Sequence, residues 1–475
     1  MRPRNALLAG VLSAVVAAAG CAIGPNYHRP SAPTPQEYGE LGGWTPIAPK
    51  DTIERGAWWS VYGDADLDRL ERQVSISNQN VKVYEAQYAQ AQALVREVRS
   101  QLFPSIGVSG DATRGRGTSV GVVNGTPGAT NSVANAFQAD GTASWTLDVW
   151  GSIRRQLESQ KAAAQVSAAD LANALLSAQA TLASDYFSLR AADALMDILT
   201  ESVTGYERTA QITENQYHFG TASRGDFMSA RAQVEATRAQ LIALRQTRGQ
   251  YEHAIAVLTG APPSGFKIPH GELAAEVPVV PVGIPSALLE RNPSIAAAER
   301  QMQSQSALIG VAEAAFFPDV TLSGLVGFAS NTMSHLVSAP NRVWSASGVV
   351  AGTILDAGGK LGAVSAARAG YAQAIANYRQ TVLSTFQSVE DQLLALHTLQ
   401  DEAVAAKVAV DSAQEAADVA LNEYKAGTVI FTTVIVANQT YLADRQALLT
   451  IQQNRLLASV ALIQALGGGW VSPTG

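Results

Sequence analysis

The chain is 475 residues long, room for two or three ordinary domains or for one elongated body. Apolar residues make up 47% of it and charged residues only 15%, with a formal charge of −7. An acidic, sparsely charged chain without basic clusters argues against nucleic-acid binding, and no internal stretch reaches the roughly 18 consecutive apolar residues of a membrane helix.

Arg2 and Arg4 precede an apolar run from Ala6 to Ala19, which ends at Ala18-Ala19-Gly20-Cys21. A basic start, a short apolar core and small residues before a break make residues 1–20 a secretory signal. Cys21 is the only cysteine, so no internal disulfide is possible. It reads either as an incidental thiol beside a conventional cleavage site or as the lipidated first residue of a bacterial lipoprotein, whose signal the stretch resembles. Ala18 stands where such signals usually carry leucine. Ala22, in place of aspartate, permits passage to the outer membrane in lipoproteins generally. Residues 21–72 follow as a tether and its continuation, extended by Pro25, Pro30, Pro33, Pro35, Pro46 and Pro49.

Beyond the tether the chain repeats itself. Leu102-Phe103-Pro104-Ser105-Ile106 returns as Phe316-Phe317-Pro318-Asp319-Val320, an offset of 214. Thr146-Leu147-Asp148 before Gly151 returns as Ile354-Leu355-Asp356 before Gly359, an offset of 208. Tyr217-His218-Phe219-Gly220-Thr221 returns as Tyr424-Lys425-Ala426-Gly427-Thr428, an offset of 207. A unit of about 200 residues is too long for a solenoid repeat and marks a duplicated half-molecule.

Each half, 73–261 and 285–467, predicts the same elements. A helix near Gln73–Leu102, or Pro285–Phe316, stops at Phe-Pro because proline cannot continue it. Alternating runs around a Gly/Asn/Ser-rich loop then predict hairpins over 104–149, with its loop at Gly121–Val133, and over 318–356, with its loop at Ser330–Asn341. Proline-free stretches near Ser152–Tyr217 and Lys360–Tyr424 predict helices of about 65 residues, roughly 100 Å each. In the first, Leu171, Leu175, Ala178, Leu182 and Leu189 keep the 3–4 spacing of coiled-coil packing, with Asp185 its one polar occupant. After Gly220 and Gly427 a helix of about 40 residues returns to Gly260 or Gly467. The two shorter helices, end to end, match the long one in length. A linker at 262–284 joins the halves and 468–475 forms a tail. Four strands cannot close a membrane barrel, which needs at least about eight, so the chain must oligomerise.

The order of landmarks resembles the outer membrane factors, the TolC-like exit ducts, and in particular their lipoprotein branch. The residues that carry the likeness are Cys21 with Gly24-Pro25-Asn26-Tyr27-His28-Arg29-Pro30, Trp58-Trp59 ahead of Asp64 through Leu70, Gly220-Thr221 with Ala230-Arg231-Ala232-Gln233, Tyr424 through Gly427, and the ending Ala465-Leu466-Gly467-Gly468-Gly469-Trp470. The resemblance implies a mixed α and β membrane protein: a homotrimer sharing a 12-stranded β-barrel in the outer membrane, continuous with a periplasmic 12-helix α-barrel. It implies a periplasmic adaptor and an inner-membrane RND-type pump as partners, and an equatorial belt drawn from the tether, the linker and the C-terminus. Conduction of drugs or other toxic small molecules is the implied function. Type I protein secretion is the alternative, and a periplasmic coiled-coil scaffold lipoprotein a more distant one.

The same resemblance places Gly220, Thr221, Gly427 and Thr428 at the periplasmic tip where the adaptor docks, and Asp226 and Tyr424 at a gate. Glycine suits these turns in any case, because a helix C-terminus favours left-handed φ. Asp226 is equally favourable for the first turns of a helix. Where the family carries a latch arginine the chain has Val429, and where aperture aspartates are common it has Thr433 and Val436. With Thr432 beside them, these residues predict a constriction closed by apolar packing more than by carboxylates. No enzyme signature of the HExxH, GxSxG or Walker A kind occurs, and six histidines lie scattered without metal-ligand spacing. The expectation is therefore no catalysis, no metal and no cofactor beyond a covalent lipid on Cys21.

Overall fold

The computed structural model describes residues 22–32, 34–35, 38–39, 57–123, 126–274, 276–278 and 291–468, with backbone alone over 117–123 and 126–132. Cys21 and the signal, part of the tether, the end of the linker and the tail from 469 lie outside the described residues. A 3₁₀ turn at Trp58–Tyr62 leads into α1 (Ala65–Ser77), α2 (Gln79–Ser100), β1 (Ser105–Val123), β2 (Thr126–Leu147), α3 (Ser152–His218) and α4 (Arg224–Leu258). The second half gives α5 (Pro293–Ala314), β3 (Asp319–Ser330), β4 (Arg342–Ala351), α6 (Gly359–Lys425) and α7 (Phe431–Ala465). Among the described residues no helix is long and apolar enough to cross a membrane. Residues divide into two units, one of 1–30, 88–166 and 298–377, the other of 31–87, 167–297 and 378–475.

The first unit holds the sheet, four antiparallel strands in the order β1-β2-β3-β4. Its register sorts the side chains, since residues directly opposite across a ladder point to the same face. Ile106 pairs with Ala143, Ala112 with Phe137, Trp145 with Leu322, Ala139 with Phe328 and Val326 with Trp344, so one face is apolar. Thr142, Ser144 and Thr146 share the other face with Ser109, Ser323 and Thr321. From Phe137 to Leu147 the apolar face runs about 33 Å along β2 at ~3.3 Å per residue. Tilted by ~40° that gives about 25 Å, the height of a barrel's apolar band. Asp140 lies on the polar face opposite Gly327, where an added Cβ would collide with the Asp140 carboxylate.

Of the two loops expected in the hairpins, one is strand and one is a loop. The described residues of Gly121–Val133 are strand: β1 and β2 stay paired to Val123 opposite Thr126, well past the ends of β3 and β4. Its Val and Thr residues favour extended backbone as much as its Gly and Asn favour turns. The β3–β4 connection is a loop, closed by two 3₁₀ turns and by the His335 carbonyl, which accepts from Ser338 Oγ at 2.8 Å and Asn341 Nδ2 at 2.6 Å.

Below the sheet the N-terminal segment is tied down. The Ile23 amide donates to the Trp150 carbonyl at 3.1 Å, and the buried Arg155 guanidinium donates to Ile23 O, Gly24 O and Asn26 Oδ1 at 3.0–3.1 Å. Gly24 lies on Gly310 so closely that a Cβ at either would strike backbone. The repeated Leu-Asp pairs open the long helices. Asp148 accepts from the Ile153 and Arg154 amides, and Asp356 from the Gly358 and Lys360 amides, which are otherwise unpaired at a helix start.

In the second unit α3, α4, α6 and α7 pack around Leu199, Tyr206, Val234 and Leu442, and around Ala230, Ala420, Phe431 and Val434. The helix expected from Gln73 to Leu102 is two helices, broken at Asn78, whose backbone is extended (φ −62, ψ 122). Asn78 Oδ1 accepts from the Val81 amide at 3.1 Å and so caps α2. Its Nδ2 donates to Leu258 O at 2.8 Å, at the end of α4. Asn292, offset by 214, does the same for α5: Oδ1 accepts from the Ser294 amide at 2.9 Å and Nδ2 donates to Ala465 O at 3.0 Å. One side chain thus joins the end of each return helix to the start of the helix beyond it.

Candidate functional site

The two turns singled out by the repeat have one geometry. The Gly220 amide donates to Tyr217 O at 3.0 Å and the Thr221 amide to Gln216 O at 2.8 Å. Gly427 and Thr428 repeat the pair on Tyr424 O at 2.9 Å and Glu423 O at 3.0 Å. This 5→2 and 6→1 pattern requires a left-handed residue between helix and turn, and both glycines have φ +76. The hydroxyls of Thr221 and Thr428 donate to the same carbonyls as their own amides, at 3.0 and 2.9 Å. Among the described residues nothing lies within 4 Å of a Cβ built at either glycine, so both turns are open to an approaching backbone.

Past the turns the halves differ. Ser223 caps α4 in a reciprocal box: the Asp226 amide donates to Ser223 Oγ at 3.0 Å and the Ser223 amide to Asp226 Oδ2 at 3.1 Å. The matching position before α7 is Ile430, which offers no side-chain cap and is largely exposed. Asp226 therefore serves its own helix. Tyr424 does not bond to it within the protomer; its hydroxyl donates to Gln216 Oε1 at 2.6 Å, joining α6 to α3. Burial raises the Tyr424 phenol above its ordinary value, and the Asp226 carboxylate adds to the rise.

The apolar stretch after Gly427 splits between two faces. Phe431 and Val434 are buried among Ala230, Ala420 and Tyr424 and cannot line an aperture. Thr432, Thr433 and Val436 are exposed. Of the six apolar residues from Val429 to Val436, helical spacing therefore turns Phe431 and Val434 inward, while Ile430 and Val436 stay exposed beside Thr432 and Thr433.

Residues 70–261 and 284–468, the two halves, each match the profile of the outer membrane efflux protein family. The chain belongs to this family. It is 27% identical over 459 residues to the probable efflux pump outer membrane protein TtgC of Pseudomonas putida KT2440, covering 96% of this chain and 94% of that one. It is 26% identical over 461 residues to the cation efflux system protein CusC of Escherichia coli CFT073, covering 96% and 97%. The structure superposes on the outer-membrane channel OprN with a TM-score of 0.88 at 28% identity, covering 95% of this chain and 100% of that one.

One feature of this efflux-family chain had no counterpart among the repeated motifs, a charged clasp on the linker between the halves. Asp193, wholly buried on α3, receives Arg190 at 3.3 Å and Arg248 of α4 at 2.5 Å. The same groups hold linker backbone: Arg190 donates to Pro269 O at 2.7 Å, Arg248 to Ile268 O at 2.8 Å, and the Ile268 and Gly271 amides donate to Glu252 and Asp193. A sequence signal for it existed. Arg190–Asp193 and Arg248–Glu252 are opposite charges at helical spacing in a chain with few charges.

Proposed function

We propose that the chain is one protomer of the outer-membrane exit duct of a tripartite efflux system, passing small toxic molecules outward from a periplasmic adaptor and an inner-membrane pump of the RND type. The observation that carries this reading is the two-faced sheet of four strands, ending in the edge strands β1 and β4, on a chain whose two halves both match the efflux family. Unpaired strand edges are not tolerated in a bilayer. Three copies pairing β4 of one to β1 of the next give twelve strands and no edge.

In this reading the open turns at Gly220-Thr221 and Gly427-Thr428 receive the adaptor, and Asp226, Tyr424, Thr432, Thr433 and Val436 lie at the gate. Cys21 carries lipid at the head of the segment held by Arg155. No chemistry is assigned to the chain. The related proteins named above are described as efflux pump and cation efflux components, which supports small-molecule or metal-ion cargo.

Two measurements test the reading. The detergent-solubilised particle should have the mass of three protomers; a single-protomer mass overturns the shared barrel. Deleting the gene should sensitise cells to some member of a panel of dyes, detergents, antibiotics and metal ions. An unchanged panel together with loss of a secreted protein would instead assign the duct to type I secretion.

A further inference from the structure

The strands carry six charged residues, and the register divides them by sign. Asp111 pairs with Gln138, Asp140 with Ser109 and Gly327, and Asp319 with Ala351, which puts all three carboxylates on the polar face. Arg342 pairs with Phe328, and Arg114 and Arg116 continue the row of Val108 and Ala112, so all three arginines stand on the apolar face. All three are exposed, and among the described residues none makes an ion pair. Their height is as selective as their face. Each lies at or beyond the level of Phe137 and Phe328, at the end of the apolar band away from the helices. An unpaired guanidinium facing lipid is costly at mid-bilayer and loses that cost at the headgroup level.

We propose that Arg114, Arg116 and Arg342 form a binding site for a phosphate-bearing glycolipid headgroup of the outer leaflet. The site is completed only by the neighbouring copy. Arg114 and Arg116 stand on one edge strand and Arg342 on the other, so they lie at opposite edges of a protomer and converge at each seam of the closed barrel. A planar guanidinium pairs with phosphate through two parallel hydrogen bonds. Among the described strand residues this face carries no carboxylate to compete for it. Asp111, the nearest acid in sequence, points to the other side.

The inference rests on the barrel reading above, and the two fail differently. If that reading is wrong, the protein does not fractionate with outer membranes as a trimer. If only the lipid site is wrong, the trimer forms but ignores phosphate. The test adds diphosphorylated lipid A, its monophosphorylated form or phosphatidylethanolamine to delipidated trimer and records the thermal unfolding midpoint. Diphosphorylated lipid A should raise the midpoint most, and the R114Q/R116Q/R342Q trimer should lose that rise. Equal shifts with all three lipids, or an unchanged shift in the variant, overturn the proposal. Should the variant fail to assemble, R114K/R116K/R342K and wild type at rising salt replace it. A smaller shift in the lysine trimer than in wild type, together with loss of the wild-type shift at high salt, is the supporting result. A shift indifferent to salt overturns the site.

Discussion

Asn78 donates its side-chain amide to the Leu258 carbonyl across 2.8 Å, and this one contact ties the C-terminus of α4 to the N-terminus of α2. Because Asn78 also caps α2, replacing it with alanine removes a cap and orphans a helix-end carbonyl at once. The expected loss is about 1–2 kcal/mol per protomer. Asn78→Asp keeps the cap acceptor but not the donor and should fall between. Asn292→Ala should match Asn78→Ala, since its contact with Ala465 is the duplicate of the first. Gly260 and Gly467 seal the same joints with φ +72 and +86, packed on the Ser77 and Arg291 carbonyls. Gly260→Ala should therefore destabilise more than either asparagine change. Denaturant unfolding of the trimer checks the order.

Asp193 is wholly buried between two arginines, and Asp193→Ala takes one acceptor from each, leaving Arg190 paired with Asp66 and Arg248 with Glu252. Because each arginine keeps a second carboxylate, the cost should fall below the about 3–5 kcal/mol of a buried charge left with no partner. The linker amides from Ile268 to Gly271 should lose hydrogen-exchange protection before the helices do. Acid should act on the same clasp through Glu252. Burial opposes its ionisation, but the Ile268 amide, Lys267 and Arg248 outweigh it and hold the carboxyl below its ordinary value. A lowered folded-state pKa gives stability that is present above the ordinary value and lost as pH falls through the folded one. Glu252→Gln should therefore flatten the acid limb of the stability profile; an unchanged limb rules the clasp out as its source.

Glu71 has the opposite sign. It is fully buried on α1, neither carboxylate oxygen has a hydrogen-bond partner among the described residues, and burial pushes its pKa up to about 9. The folded state then holds a proton that the unfolded state has released. Its contribution is intact below the ordinary value near 4.5 and is lost as pH rises toward about 9. Thermal midpoints measured from pH 5 to 9 should fall in wild type more than in Glu71→Gln. Parallel curves would mean that Glu71 finds a partner in the assembled trimer.

The long helices were legible because nothing contradicts them: α3 and α6 start and stop within a residue of the positions given by the repeated Leu-Asp and Gly-Thr landmarks. Those landmarks are local signals, an acid facing unpaired amides and a glycine with left-handed φ. The break at Asn78 was not legible, because Ser-Asn-Gln-Asn within a helical pattern is no stronger a stop than many that helices tolerate. Its meaning lies in the distant Leu258 carbonyl. The same holds at the tip. The apolar run after Gly427 could be read from sequence, but which of its residues face inward depends on Ala230 and Ala420, contributed by other helices. The β1–β2 extension was hidden by composition, since Gly, Asn, Thr and Val together signal turn and strand alike.

Tyr424 donates its hydroxyl to Gln216 Oε1 at 2.6 Å, which links α6 to α3 next to the open turns. Tyr424→Phe keeps the ring against Phe431, 5.2 Å between centroids, and removes only the hydroxyl. Losing such a bond costs about 1 kcal/mol, which shifts a two-state population roughly fivefold. If this contact holds the tip closed, single-channel recordings should show a larger resting conductance in Tyr424→Phe and a similar one in Gln216→Ala. Asp226→Ala should act differently. It breaks the capping box with Ser223 and frays the start of α4, but Thr433 and Val436 on the exposed face of α7 remain unchanged. Divalent-cation block should therefore be weak in wild type and insensitive to Asp226→Ala. Strong block abolished by that substitution would show that a carboxylate ring, and not the face carrying Thr433 and Val436, sets the constriction.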